Sequence, residues 1–378
     1  MASMTPRQRV LAALNHQEVD RVPIDLGGTP NSTICTGAYL RLAEFLGVPI
    51  TSPKVINLAF EIVEMDEAVL RLLPVDTRPL FINPPARSRT RWLDESTFVD
   101  EWGITYRRPA GWPQFDMIAH PLAEATLADV ERFEGPDVED EGRYAGLREK
   151  ARQLHEDTDY AVCASTLDTT LFDRACWLRG TARFLMDLLL DPSFALALLE
   201  KVAQIQFRRL ERFLQEVGPY VDVVMVSDDM GIQTGPLLSL ELYRKMVKPF
   251  HRRYMELIRR WTDAKIVVHA CGSIVDLVED YIEIGVDALN PMQVSAAGMS
   301  PENLKARFAG RMAFWGGIDT QRLLPRGTPE EVRAAVRHTI DVMNHSGGYV
   351  LAAVHNIQDD VPPENIWAML DEAAHYRP

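Results

Sequence analysis

Residues 265–272 read Lys265-Ile-Val-Val-His269-Ala-Cys271-Gly272. Three β-branched residues run into a histidine, a cysteine and a glycine. The preceding stretch, 240–261, carries apolar residues at helical spacing. An amphipathic helix leading into a short, wholly apolar strand is the repeating unit of a parallel sheet covered by helices. The same unit recurs along the chain. Candidate strands lie at 22–26, 78–82, 160–164, 221–226, 265–269, 288–290, 312–315 and 349–354, with further candidate helices at 274–284, 301–308 and 329–344. Eight such strands favour an α/β fold of the (β/α)8 TIM-barrel type, with an open doubly wound sheet as the alternative.

Two segments lie outside this rhythm. At the N-terminus, Thr5-Pro6 suits an N-cap and first-turn pair, and Val10, Leu11 and Leu14 follow at helical spacing, so 1–20 reads as a helical extension. Residues 87–122 are rich in Trp, Arg, Thr and Tyr, with local alternation in Glu101-Trp102-Gly103-Ile104-Thr105-Tyr106. They read as a small antiparallel β-rich insertion or lid. No internal repeat or flexible linker divides 1–378, which is expected to form one domain.

Composition narrows the function. The 378 residues are 47% hydrophobic and 25% charged, the proportions of an ordinary globular protein. A formal net charge of -14 speaks against a nucleic-acid partner, since no excess of cations exists to neutralise phosphates. The N-terminal residues lead into an amphipathic helix rather than an apolar signal core. The apolar stretch 184–199 is interrupted by Asp187, Asp191 and Pro192, so no membrane span is expected. Cys35, Cys163, Cys176 and Cys271 are widely spaced with no CxxC pair, which suits reduced thiols and a cytoplasmic location.

In a barrel, chemistry gathers where strands end at the C-terminal face. Here those ends read Ser227-Asp228-Asp229 with Gln233, His269-Ala-Cys271-Gly272, Asn290-Pro-Met-Gln293, Gly316-Gly-Ile-Asp319 and His355-Asn356-Ile-Gln358. Residues i and i+2 of a strand share a face, so His269 and Cys271 project together, and Gly272 lets the chain turn without obstructing them. An imidazole and a thiolate make two-thirds of a catalytic zinc site, and His355 can supply the third ligand. The bland alternative is a buried thiol beside a satisfied core histidine. Asp228 and Asp229 are candidate catalytic carboxylates, of which only one is expected to enter the site because adjacent residues face opposite ways. Their bland alternative is a turn or N-cap. Asn356 and Gln358 could equally satisfy loop backbone groups.

Several of these segments resemble the uroporphyrinogen decarboxylase superfamily. Similar are Thr5-Pro-Arg-Gln-Arg-Val-Leu-Ala-Ala-Leu, Asp20-Arg-Val-Pro-Ile, Leu178-Arg-Gly with Phe184-Leu-Met-Asp, and Ser227-Asp-Asp with Gln233-Thr-Gly-Pro. So are His269-Ala-Cys-Gly-Ser, Gly316-Gly-Ile-Asp and His355-Asn-Ile-Gln-Asp-Asp-Val-Pro-Pro-Glu-Asn. The likeness spans nearly the whole chain and is weakest between about 87 and 142. It implies one of two chemistries. Decarboxylases of this superfamily use no metal and carry an Arg-Gln-Ala-Gly-Arg segment after the first strand, where this chain has Asp25-Leu-Gly27-Gly28. The other branch transfers methyl groups to or from a corrinoid and holds zinc with a His-x-Cys, which maps onto His269 and Cys271, and a later Cys, where His355 stands instead. The resemblance thus implies a zinc methyltransferase with Zn2+ on His269, Cys271 and His355. Gln233, Asn290, Gln293 and Asn356 are then the candidates for holding the cofactor.

Zinc with two neutral imidazoles and one thiolate keeps a net positive charge, which suits activating an ether oxygen, as in O-demethylation of a methoxylated aromatic, better than activating a thiol. The chain lacks a DxHxxG pattern, so the cobalamin is expected on a separate corrinoid protein. A homodimer is left open. The alternatives are a metal-independent decarboxylase and a non-catalytic ligand-binding barrel.

Overall fold

The computed structural model describes residues 3–377. Seven parallel strands form one curled sheet: β1 (Thr77–Phe81), β2 (Ala161–Ser165), β3 (Val223–Ser227), β4 (Lys265–His269), β5 (Ala288–Met292), β6 (Ala313–Ile318) and β7 (Tyr349–Ala353). Their spatial order is their order in sequence, as right-handed β-helix-β winding produces. The predicted strands in 78–82, 160–164, 221–226, 265–269, 288–290, 312–315 and 349–354 are thus present, each within a few residues of its expected bounds.

The predicted strand at 22–26 is the exception. This segment lies between the two edges of the sheet and joins them: Asp25 N donates to Leu351 O, Leu351 N to Pro23 O, and Asp76 N to Ile24 O. It closes the barrel without being a regular strand. Pro23 has no N–H, and the Ile24 N–H goes to the Asp76 carboxylate at 2.8 Å instead of a ladder carbonyl.

Alternate strand residues face the barrel interior, where Cys163, Met225, Val267, Ala288, Trp315 and Ala352 form one packed cluster. Helix α1 (Pro6–Leu14) seals one end of it, with Val10 and Leu14 joining that cluster. Thr5 caps α1 in a capping box with Gln8, and Arg9 ties the helix to Asp20 and Asp76. The other strand faces pack on the helices in a second, larger core. The predicted helix 240–261 is two helices, Leu240–Met246 and Lys248–Trp261, broken before Pro249. Likewise 274–284 begins as a 3-10 turn, Val275–Leu277, before Val278–Glu283.

The insertion is a four-stranded antiparallel sheet, Arg91–Asp94, Thr97–Val99, Thr105–Arg107 and Asp116–Ala119. A second antiparallel sheet, of Ile34–Cys35, Lys54–Asn57 and Ile62–Glu64, has no counterpart in the sequence reading. Its strands are too short for alternation to declare itself. All four cysteines are free thiols, and no helix of the described residues is long and apolar enough to cross a membrane.

Candidate active site

Parallel register builds the site. Ser227 of β3 pairs with His269 of β4, which pairs with Asn290 of β5, so three polar side chains continue the inward-facing rows at the C-terminal rim. Two residues on, Cys271 Sγ stands 3.3 Å from His269 Nε2. Gly272 then turns at φ +87°, and a Cβ there would lie 2.5 Å from the Gly231 backbone. His355, just past β7, meets His269 edge to face with ring centroids 5.1 Å apart. Ligand atoms of His269, Cys271 and His355 all lie within 4.8 Å of one another, the cluster expected from the sequence.

The donor set fits a zinc ion. In a tetrahedral zinc site, a sulfur and a nitrogen ligand sit about 3.5 Å apart, close to the Cys271–His269 separation. Asn290 sets the tautomer: its Nδ2 donates to Trp315 O at 3.4 Å, which turns Oδ1 towards His269 Nδ1. His269 Nδ1 therefore carries the proton, and its Nε2 lone pair faces the cluster. Burial holds both imidazoles neutral. His269 is lowered by burial, and His355 is lowered to about 3 by burial and then by His269. Burial and the Asp229 carboxylate push the Cys271 thiol well above its ordinary value, a state that a bound cation would reverse.

The adjacent acids divide as the alternation requires. Asp229 lines the same cavity as the two histidines; its Oδ1 accepts the Cys271 N–H at 2.7 Å and lies 3.8 Å from His269 Nε2. Asp228 turns the other way and is almost fully buried. It accepts the N–H groups of Leu171, Phe172 and Asp173 at the start of α2 (Phe172–Arg179), and His251 Nε2 at 2.8 Å. The structure does not bring Asp228 into the cavity. Its lone pairs are spent anchoring a helix N-terminus, as an anion does well.

The amide side chains also separate. Asn290 is the histidine's orienter, and Asn356 lines the cavity while donating to Pro30 O at 2.7 Å. Gln293 accepts the Gly272 N–H at 2.6 Å. Gln233 and Gln293 line a separate cavity of about 420 Å³ that reaches Cys271 and His355 from the other side. Gln358 faces neither of these cavities. It accepts from Gln114 of the insertion at 2.6 Å and donates to Asn356 O, a loop-fastening role.

The cavity of about 260 Å³ beside His269 and His355 also contains Asp168, Asp173, Arg174 and Trp177, which the sequence reading did not single out. They follow β2, and the strand-end rule applied there would have found Asp168. Asp173 lies in α2, Asn57 ends a strand of the small antiparallel sheet and Phe60 lies in the loop that follows it, so only packing brings them in. Burial, then Asp228 and Asp229 beside it, push the Asp173 carboxyl well above the usual carboxylate range. Its Oδ2 accepts the Asp229 N–H at 2.8 Å, which leaves Oδ1 free to carry a proton.

Comparison with known proteins agrees with this geometry at the level of the fold. A methyltransferase from Methanosarcina mazei superposes with a TM-score of 0.69 over 98% of both chains, at 17% identity. Uroporphyrinogen decarboxylase of Alkalilimnicola ehrlichii is 25% identical, aligned over 100% of this chain and 96% of its own length. That of Xanthomonas axonopodis pv. citri is 25% identical over 97% and 98%. The profile of the uroporphyrinogen decarboxylase (URO-D) family matches residues 108–376. The chain belongs to the uroporphyrinogen decarboxylase family.

Proposed function

We propose that this protein is a zinc-dependent methyltransferase that moves a methyl group between a small methoxylated aromatic and a corrinoid carried by a partner protein. The observation that carries the reading is the convergence of His269, Cys271 and His355 at the barrel rim, with Asn290 fixing the tautomer of one ligand. Three protein ligands leave a fourth position for a substrate oxygen. Zinc bound there would act as a Lewis acid on that oxygen.

The chain's own residues supply the rest. Asp229 holds the His269–Cys271 turn through the Cys271 amide. Burial and the neighbouring carboxylates favour the protonated form of Asp173, whose Oδ1 can deliver that proton to the departing ether oxygen as the carbon–oxygen bond breaks and the methyl group passes to the corrinoid. Trp177 and Phe60 line the cavity and limit water around an aromatic ring. Loading the metal through His355 Nε2 requires the proton on Nδ1, so the present contact from Asn356 N to Nδ1 at 2.8 Å must open. A fold also used by a methyltransferase is compatible with this chemistry.

Decarboxylation is the second reading, favoured by the names of the sequence relatives. Against it, Asp25 occupies the place expected to hold arginines and is buried, accepting from Thr77 Oγ1, Gly28 N and Trp315 Nε1. Arg174 is the one cationic residue on the small cavity, a poor match for a ligand with four acidic arms.

Elemental analysis of the purified, zinc-reconstituted protein tests the reading. Near-stoichiometric zinc, lost in Cys271→Ala and in His355→Ala, together with methyl transfer from methoxylated arenes to free cobalamin, supports it. Metal-free protein after reconstitution would overturn it, and carbon dioxide release from a porphyrinogen would install the decarboxylase in its place.

A further inference from the structure

The helix after α2, α3 (Thr181–Leu190), has two apolar faces. Phe184 and Leu188 turn inward, and Phe184 packs on Phe172 of α2 with ring centroids 5.8 Å apart. Outward lie Ala182, Arg183, Met186, Leu189 and Leu190, at the spacing of one helix face. Leu189 is 67% exposed and Leu190 81%, the latter more than any other large apolar side chain among the described residues. None of the five lines the cavity beside His269 and His355. Single exposed leucines are ordinary, but a stripe of three large apolar side chains along one helix marks a surface that another protein covers.

The charges at its ends say what covers it. α3 has no acid in its first turn and no base in its last, and Gly180 at its N-cap offers no side chain to the first N–H groups. Instead Arg183 stands in the first turn and Asp191 follows the last. Both signs oppose the helix dipole, which is positive at the N-terminus and negative at the C-terminus. Neither charge is fully engaged at home. Arg183 is half exposed, 3.7 Å from the carboxylate of Asp187, which already holds Arg179 at 2.7 Å. Asp191 uses Oδ1 to cap the next helix through the Phe194 N–H. An antiparallel copy of the same helix reverses both mismatches, carrying Asp191 to the N-terminus of α3 and Arg183 to its C-terminus. Centred on Met186, such a pairing sets Ala182 against Leu190 of the other copy, a small side chain opposite a large one, and brings Arg183 within reach of Asp191 of the other copy. A different partner would have to bring both charges and the apolar stripe; this helix supplies all three to itself.

We propose that α3 is an isologous interface through which two copies of this chain pair antiparallel about a two-fold axis at Met186, with Arg183 of each copy bound to Asp191 of the other. The pairing rests on no part of the chemistry at the barrel rim, so it stands or falls apart from the methyltransferase reading.

The test is sedimentation velocity of the full chain at about 1–100 µM. The wild type should sediment as a dimer at the upper end of that range, and Leu190→Asp as a monomer throughout. Arg183→Glu should raise the dissociation constant about tenfold, because a substitution in a symmetric interface acts twice. Asp191→Asn, which keeps an acceptor for the Phe194 N–H, should weaken the dimer in the same direction. Met186→Cys should form an intermolecular disulfide on mild oxidation, and the wild type, whose four thiols lie elsewhere, should not. Circular dichroism checks that each variant is folded, and should Leu190→Asp fail to fold, the Met186→Cys cross-link decides alone. A wild-type monomer at the highest concentration, a dimer that survives Leu190→Asp, unchanged affinity in both charge variants, or no cross-link would overturn the proposal. A monomer that binds a corrinoid protein through Leu190 would give this face to that partner and overturn it as well.

Discussion

At the barrel rim, His269, Cys271 and His355 form a neutral cluster held from several sides: Asn290 fixes one ring, Asn356 N donates to the other, and Asp229 holds the cysteine amide. Beneath the insertion, Arg174 and Arg209 sit among Asp100, Glu101 and Asp168, yet three of their guanidinium nitrogens bond to nothing. The first region is made of strand ends in register, so every position is set by the sheet. The second is assembled from α2, the helix Pro192–Val217 and the insertion, which meet only through tertiary packing. A site built on a sheet can be fully satisfied before any ligand arrives. One built between separate elements is more readily left short of acceptors, as these three nitrogens are.

The largest expected effect breaks the sheet-built end. Cys271→Ala in the zinc-loaded protein should reduce methyl transfer by about a thousandfold or more, with zinc content by elemental analysis falling in step. If turnover survives while zinc is lost, the strand-end cluster is structural.

Asp228 and Asp229 sharpen the contrast between a carboxylate that holds the fold and one that faces the cavity. Asp228→Ala strands three helix N–H groups and the buried His251, and should cost about 3–5 kcal/mol in chemical denaturation. Asp229→Asn keeps an acceptor for the Cys271 amide and should change stability by less than about 1 kcal/mol while impairing turnover. Equal destabilisation by the two would refute the division.

Asn290 is expected to act through His269. Asn290→Leu should weaken zinc binding by about 10–100-fold in a competitive chelator titration, because the ring loses the acceptor that keeps its Nδ1 protonated. An unchanged affinity would mean that packing alone orients the ring.

The smallest effect concerns the region beneath the insertion. Burial, only partly offset by Arg174, raises the Asp100 carboxyl to about 6 from an ordinary 3.8. The native chain therefore keeps a proton that the unfolded chain has lost, so this group's stability is intact below about pH 4 and is lost as pH rises through 6. The loss amounts to at most about 3 kcal/mol. Asp100→Asn, which keeps an acceptor for the Trp102 and Ile104 amides, should remove that decline: no gain at pH 4 and about 1–3 kcal/mol at pH 8. A pH profile parallel to the wild type would assign the decline to other groups.

Legibility followed the same divide. Seven of the eight strands could be read because each is a short apolar run between helical patterns. The segment at 22–26 could not be told from them, since it takes the capture of the Ile24 N–H by Asp76, 52 positions away, to replace a ladder bond. His269, Cys271 and His355 could be named because i, i+2 spacing and the strand-end rule locate them without knowledge of packing. Asp173, Arg174 and Phe60 escaped, because helix and loop residues carry no marker of the cavity they will face.

The sequence by itself determined the parallel barrel, the insertion and the convergence of His269, Cys271 and His355, because backbone periodicity and strand order are local or nearly local properties. Only the tertiary structure decided which of two adjacent aspartates faces the cavity, how the barrel closes, and that the Arg174 guanidinium packs 4.7 and 4.8 Å from the rings of Trp102 and Trp177 with two nitrogens unpaired. Those outcomes depend on which distant groups compete for the same hydrogen bonds, and that competition is settled only when the elements pack.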